Sequence, residues 1–264
     1  MKNYLVIGNP IDHSYSPQLH NHWFKKNNIK AIYKKEKLNL SDLKDLVLRI
    51  KDFKVSGANV TVPFKRDIIP YIDELSLEAK ITQSVNTIYL NDNKLVGHNT
   101  DVEGFEFAIK ETKFDTNGKT IFILGAGGVV PSIIYALNKM NVSEIIITNR
   151  TRNKSDILKK TFNKISIVDW GEIPNFDMVI NATSLGLNEK DEINLDFSKV
   201  EKSKFFYDVI YNPQETNFLK KAREVGYKTE NGKKMFIYQA AAAFHIWHNF
   251  YPKINDEVYK LLNK

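Results

Sequence analysis

The stretch from Thr120 to Ser132 reads Thr-Ile-Phe-Ile-Leu-Gly-Ala-Gly-Gly-Val-Val-Pro-Ser, and it leaves the fold little choice. Five residues of apolar, β-favouring character run straight into a glycine cluster, and helix-forming sequence follows. Strand, tight turn and helix in that order are the opening unit of a dinucleotide-binding sheet. Gly125 suits the sharp turn. Gly127 lets the backbone approach a pyrophosphate lying over the free N–H groups of the next helix. Val130 stands where this fingerprint prefers Gly or Ala, which would loosen helix–strand packing. Pro131 falls in the first helical turn, where its missing N–H removes no helical bond.

Asn149-Arg150-Thr151 begins 24 residues after Gly125, where a second strand would end and an adenine ribose would sit. An Asp or Glu there would bond the ribose 2′-hydroxyl and repel a 2′-phosphate. The position instead offers an amide, a guanidinium and a hydroxyl, with Lys154 just beyond. On its glycines alone the loop is equally an ordinary turn after a buried strand. The basic ribose position turns the reading towards a cofactor, and towards NADP rather than NAD.

A chain of 264 residues has room for one large or two modest domains. The sequence has 42% hydrophobic and 26% charged residues, the balance of a soluble globular protein. Its formal charge of +7 is scattered rather than gathered into a stripe, which argues against nucleic acid. Cysteine is absent, which excludes disulfides and Cys-ligated metal and fits a reducing compartment. The first residues look like a strand and are too short for a signal h-region, and no apolar run reaches membrane-spanning length. These features describe a cytoplasmic protein.

Taken in order, Tyr4–Ile7 is a short strand ended by Gly8-Asn9-Pro10, and Pro17 is placed to open a helix reaching about Asn27. Ala31–Leu38 follows as a strand, then a helix N-capped by Ser41 with its apolar stripe at Leu43, Leu46, Val47 and Ile50. Val55–Val62 reads as a strand and Asp73–Thr82 as a helix. Val85–Leu90 and Lys94–Gly97 pair as a hairpin, and Asn99-Thr100-Asp101 caps a helix to about Lys110. Further strands near Thr120–Leu124, Glu144–Thr148, Ile165–Val168, Met178–Asn181 and Phe205–Val209 alternate with helices, which means a parallel sheet covered on both faces. Met235–Tyr251 is an alanine-rich helix with no strand after it, so it returns to the first domain. The expected fold is α/β in two domains with the cleft between them: residues 1–101 with 236–264, and a Rossmann-type domain over 102–235.

Short polar clusters sit at strand ends and caps: Ser14 and Ser16, Asn59 and Thr61 with Lys65, Asn86-Thr87, Asn99-Thr100-Asp101, and Gln239. Asn59 and Thr61 alternate with Val60 and Val62, so both face one side of a buried-looking strand and ask for a polar partner. A polyhydroxylated ligand would supply one. Each residue also has an ordinary reading: Lys65 as a solvated lysine, Asp101 as a helix N-terminal carboxylate, the serines as loop residues, Asn86 as a turn former. The six histidines form no metal-type constellation, and no metal is expected.

Read together, these clusters resemble the shikimate dehydrogenase family. The motifs that carry the resemblance are Gly8 to Pro17, Gly57 to Lys65, Val85-Asn86-Thr87, Gly97 to Asp101, Gly125-Ala126-Gly127-Gly128, Asn149-Arg150-Thr151, Asn181 to Gly186, Tyr207 to Tyr211, and Gly232 through Gln239-Ala240. The ordered set spans nearly the whole chain. The resemblance implies reversible, NADP-dependent reduction of 3-dehydroshikimate to shikimate in aromatic amino-acid biosynthesis, by a monomer or homodimer. Carried over, Lys65 and Asp101 form the catalytic pair, and Ser14 and Ser16 hold the substrate carboxylate with Tyr211 nearby. Thr61, Asn86 and Gln239, with Asn59 in support, bond the ring hydroxyls. Gly125, Ala126, Gly127, Gly128 and Val129 cradle the pyrophosphate, and Asn149, Arg150, Thr151 and Lys154 meet the 2′-phosphate. Thr183, Ile210 and Gly232 are implied on the nicotinamide side. A quinate-oxidising relative, or a sensor on the same scaffold that no longer catalyses, are the competing readings. Gln83-Ser84 departs from the Gly-Ala expected before Val85.

Overall fold

The computed structural model describes residues 1–198 and 200–263. The chain divides into two compact units, Met1–Gly104 with the tail from Ile237 onward, and Phe105–Phe236. The first unit opens with β1 (Lys2–Gly8), α1 (Ser16–Lys26), β2 (Ala31–Lys37), α2 (Leu43–Lys51) and β3 (Gly57–Val60). β1 is parallel to both β2 and β3, so α1 and α2 serve as the crossovers that parallel pairing requires. β4 (Glu74–Leu75), α3 (Leu77–Thr82) and the hairpin of β5 (Thr87–Asn91) and β6 (Lys94–His98) complete the unit's sheet. Its order is β2-β1-β3-β5-β6-β4, with β5 antiparallel to β3 and β6. Asp92 and Asn93 turn the hairpin at positive φ, as a two-residue turn demands.

Helix α4 (Asp101–Glu111) leads into the second unit. There β7 (Thr120–Leu124), α5 (Val130–Lys139), β8 (Glu144–Thr148), α6 (Arg152–Thr161) and β9 (Ile165–Ile167) are followed by β10 (Met178–Asn181), β11 (Phe205–Asp208), α7 (Asn217–Val225) and β12 (Lys228–Glu230). All six strands are parallel, in the order β12-β11-β10-β7-β8-β9. The winding reverses between β9 and β10, which leaves β7 and β10 as neighbours at a switch point, where ligands of such sheets bind beyond the strand ends. This is the Rossmann-type sheet expected from Thr120–Ser132. Val130 is fully buried on the same helix as Ile133, Ile134 and Leu137, so the larger residue is packed rather than loosening the helix.

Several local expectations change. The helix expected over Asp73–Thr82 is a two-residue strand followed by a shorter helix. Asp73 is drawn out of helical geometry because its carboxylate accepts the Leu95 N–H at 2.8 Å, and Ser76 caps α3 by accepting from Ala79. Ser41 does not cap α2. It lies inside a 3₁₀ turn that Asn39 and Asp42 close through a reciprocal capping box, which satisfies two otherwise orphaned donors. The strand expected over Val55–Val62 is confined to Gly57–Val60, since the chain turns at residues 62–68. Helix α7 has a start and a stop signal, Thr216 accepting from Leu219 and Gly226 in the left-handed region.

Helix α8 (Lys233–His248) and α9 (Asp256–Lys260) end the chain, and from Ile237 onward α8 belongs to the first unit. One face of that unit's sheet is covered by the α2 stripe, packed with Ile7, Ala58, Val60 and Ile88. The other holds an aromatic cluster of Tyr4, Trp23, Phe24, Tyr33, Phe244 and Trp247. His20 lies within it, stacked on Tyr33 at 4.3 Å and 2°, and neither of its ring nitrogens has a partner. No helix among the described residues is long and apolar enough to cross a membrane.

Burial, helped by His248, pushes the His20 imidazole down from 6.5 to about 3. A depressed folded value means that His20 supports folding fully above pH 6.5, and that this support is lost as the pH falls from 6.5 towards 3. His20→Phe keeps a flat ring and removes the titration. Urea unfolding at a series of pH values should show wild type losing up to about 1.4 kcal/mol per pH unit more than the variant below neutrality. Parallel curves would refute this.

Candidate active site

In the first unit the polar clusters converge on Asp101. Strand β3 ends at Val60, and the turn after it carries Lys65, whose carbonyl accepts the Val85 N–H at 2.8 Å. That bond ties the lysine's backbone to the segment entering β5. Asp101 is the first residue of α4, its own N–H held by the Asn99 side chain at 3.0 Å, and a helix N-terminus favours negative charge. Lys65 Nζ meets Asp101 Oδ2 at 2.5 Å, with the two side chains 15% and 8% exposed. So a nearly buried ammonium–carboxylate pair stands with a small opening to solvent. Buried pairs persist only where further hydrogen bonds satisfy the remaining valences. Here Asn86 Nδ2 donates to Asp101 Oδ1 at 2.9 Å.

Asn86 itself is buried and saturated. Its second N–H points to Thr100 Oγ1, and its oxygen accepts from the Thr100 N–H at 2.8 Å and from Thr87 Oγ1 at 3.0 Å. Asn59 differs from expectation: its amide does not wait for an outside ligand. Its oxygen accepts from Tyr33 at 2.6 Å, and its nitrogen donates to the Asn86 carbonyl and to Thr87 Oγ1, both at 3.0 Å. Thr61 is half-buried just past β3. Ser14 and Ser16 are brought together, Oγ to Oγ at 3.2 Å, at the start of α1, a helix without a side-chain cap. Two adjacent hydroxyls make a place for a carboxylate. Gln239 is half-buried on α8.

The second unit gathers the glycine loop and the segment after β10. Gly125 has φ +105°, and a Cβ there would come within 3.0 Å of the Ala182 carbonyl, so only glycine turns the chain against that neighbour. Gly127 and Gly128 are exposed, and a Cβ on Gly128 would meet nothing within 4 Å. Their smallness serves no internal packing and leaves an open cradle beside Ala126 and Val129, before the uncapped start of α5. Exposed Arg150, Thr151 and Lys154 lie at the start of α6, where Asn149 Nδ2 bonds the Thr151 carbonyl at 2.8 Å. Arg152 is engaged by Asp169 at 2.5 Å, whereas Arg150 and Lys154 have no carboxylate partner among the described residues. This donor set fits a dinucleotide carrying an extra phosphate.

Sequence reasoning passed over the carboxylate that shapes this unit. Asp208, at the buried end of β11, accepts from Asn181 Nδ2, Thr216 Oγ1 and the Ile210 N–H at 3.0, 2.7 and 2.9 Å. Asn181 in turn accepts from both the backbone and the hydroxyl of Thr183. One carboxylate thus sets the segments that carry Thr183 and Ile210. A Cβ on Gly232 would collide with the Val209 carbonyl, so Gly232 is a close-packing glycine. Tyr211 stacks on Phe236 at 4.3 Å. An acid closing a fully apolar strand was the available signal for Asp208.

Family models match the chain in two stretches, described as the shikimate dehydrogenase substrate binding domain over residues 6–88 and as shikimate/quinate 5-dehydrogenase over residues 106–216. A shikimate dehydrogenase (NADP(+)) of Pelagibacter ubique is 56% identical over 262 residues, covering 99% of each chain. Among solved structures, shikimate dehydrogenase from Aquifex aeolicus superposes with a TM-score of 0.92 at 34% identity, over 99% of this chain and 97% of that one. The Thermus thermophilus enzyme, crystallised with NADP(H) and shikimate, gives 0.91 at 27% identity, over 99% and 98%.

Burial pushes the Asp208 carboxyl up to about 6, against the pull of its bonds from Asn181, Ile210 and Thr216. A raised folded value favours folding most below the ordinary 3.8, and this contribution fades as the pH rises through 6. In Asp208→Asn the fading is absent. The melting temperature of wild type minus that of the variant should therefore fall between pH 4 and pH 7. A constant difference would show that Asp208 does not titrate there.

Proposed function

The chain belongs to the shikimate dehydrogenase family, and on that footing we propose that it carries out the reversible, NADPH-dependent reduction of 3-dehydroshikimate to shikimate in aromatic amino-acid biosynthesis. The observation that carries the reading is the braced Lys65–Asp101 pair. Bound NADPH supplies a hydride to the ketone carbon. The ketone oxygen then gains negative charge, which a proton donor within hydrogen-bond reach must quench. The Lys65 Nζ/Asp101 Oδ2 couple holds that proton, and the carboxylate both aims the ammonium and balances its charge. In the reverse direction the same couple takes up the hydroxyl proton.

The remaining assignments follow the chemistry of each group. Ser14 and Ser16, with the Tyr211 hydroxyl, take the substrate carboxylate. Thr61 and Gln239 bond ring hydroxyls, while Asn86, whose amide is fully engaged within the protein, braces Asp101, and Asn59 supports Asn86 from behind. Residues 1–101 with 236–264 act as the substrate domain and 102–235 as the cofactor domain. Gly125 to Val129 hold the pyrophosphate, and Asn149, Arg150, Thr151 and Lys154 the 2′-phosphate. Thr183, Ile210 and Gly232 shape the nicotinamide side. The protein works in the cytoplasm as a monomer or homodimer.

Purified protein should oxidise NADPH when given 3-dehydroshikimate, far faster than NADH, and should turn over shikimate in preference to quinate with NADP. Equal kcat/KM for quinate would move the assignment to the quinate-oxidising relatives, and no turnover would refute it. Lys65→Ala should lower kcat by roughly 10²- to 10⁴-fold, the usual scale of lost acid–base catalysis, with NADPH affinity unchanged. A variant within a few-fold of wild type would remove Lys65 from that role. Arg150→Ala should weaken NADPH by about 1.5–3 kcal/mol and leave NADH nearly unaffected, the difference expected of a charge-assisted bond to phosphate. Equal losses for both cofactors would sink that assignment.

A further inference from the structure

Behind the Lys65–Asp101 pair lies a line of buried hydrogen bonds whose far end, the Tyr33 hydroxyl, also meets the Ser16 side chain. Tyr33 Oη donates to Asn59 Oδ1 at 2.6 Å, and Asn59 Nδ2 donates to Thr87 Oγ1 at 3.0 Å. Thr87 Oγ1 donates to Asn86 Oδ1 at 3.0 Å, and Asn86 Nδ2 donates to Asp101 Oδ1 at 2.9 Å. The line comes from β2, β3, the start of β5 and α4.

Its direction is forced by groups that have only one role. The Asn86 backbone carbonyl only accepts, so the Asn59 nitrogen must face it. The Asn59 oxygen therefore faces Tyr33, which must donate. The Thr100 N–H only donates and the Asp101 carboxylate only accepts, so the Asn86 oxygen faces the first and its nitrogen the second. Thr87, receiving from Asn59, has its own proton left for Asn86. Neither amide can flip without setting acceptor against acceptor or donor against donor in a buried site, where an unpaired polar group is costly, and the Thr87 hydroxyl, 3.4 Å from Thr100 Oγ1, sits closer to Asn86 Oδ1 at 3.0 Å.

We infer that Tyr33 and Thr87 are positioning residues for the acid–base couple: their hydroxyls complete the bonding of both amides, and through Asn86 steady the carboxylate that aims Lys65. Neither can do this by touching the substrate, since Tyr33 is 2% and Thr87 0% exposed. The inference rests on the proposed reaction. Wild-type turnover of 3-dehydroshikimate is therefore measured first, and its absence would count against that reading rather than against the relay.

The test compares Tyr33→Phe, Thr87→Val, Thr87→Ser and the double variant Tyr33→Phe/Thr87→Val. Each is assayed well below its own melting temperature. Tyr33→Phe and Thr87→Val should each lower kcat about tenfold, with KM for NADPH unchanged. The double variant should be no slower than the slower single one, because a line cut once loses little by a second cut. Thr87→Ser, which retains the hydroxyl, should recover most of the rate lost in Thr87→Val. Multiplicative losses, unchanged kcat, or equal losses in Ser and Val would overturn the inference. Should Tyr33→Phe fail to fold, the Val–Ser contrast at Thr87 decides alone: a purely structural defect lowers the melting temperature without separating the two in kcat.

Discussion

The Asn86 amide is wedged between groups that have no choice of role. A backbone N–H faces its oxygen and a carboxylate faces its nitrogen, so the amide has one orientation. The buried polar groups beside Asp101 are arranged around that fact. Asp101 is held on one side, leaving its other oxygen for Lys65, and Thr87 and Asn59 are ordered on the other. A lysine with four rotatable carbons would otherwise lose much of its positioning to side-chain entropy. Here the target is itself held by Asn86 at its carboxylate and by Asn99 at its backbone N–H.

The second unit reaches a comparable end by a different device. A sheet of parallel strands puts all its strand ends on one side, and the segments that leave β7 and β10 are pressed together where Gly125 abuts the Ala182 carbonyl. Backbone, rather than charge, is what this unit presents at its glycine loop. Its one deeply buried acid, Asp208, acts inward, holding the segments after β10 and β11 in register. Charge appears at the far edge instead, where Arg150 and Lys154 stand exposed beside the start of α6.

What could be read from the sequence was whatever is local. The strand–glycine–helix passage at Thr120–Ser132 gives its own geometry, since period, turn residue and helix start are adjacent in the chain. The α2 stripe and the Lys94–His98 hairpin strand were legible for the same reason. The Lys65–Asp101 ion pair was not legible from spacing: the two are 36 residues apart, and each alone resembles a common surface feature. Only the ordered set of motifs linked them. Asn59 was read as a group in need of a ligand because its partners, Tyr33 and Thr87, come from strands 26 and 28 residues away. Asp73 misled the helix assignment in the same way, because its partner is the Leu95 N–H on β6. Tertiary hydrogen bonds, invisible to propensity, account for both errors.

Trp247 comes from α8, very late in the chain, yet its indole N–H donates to the Ile88 carbonyl at 3.3 Å and its ring packs on Tyr4 and over Gly57. The first unit is therefore unfinished until α8 exists. During synthesis the intervening unit, being continuous in sequence, has all its strands before the N-terminal sheet receives its cover. The N-terminal sheet therefore meets the helix that covers it only after every strand of the second unit has been made.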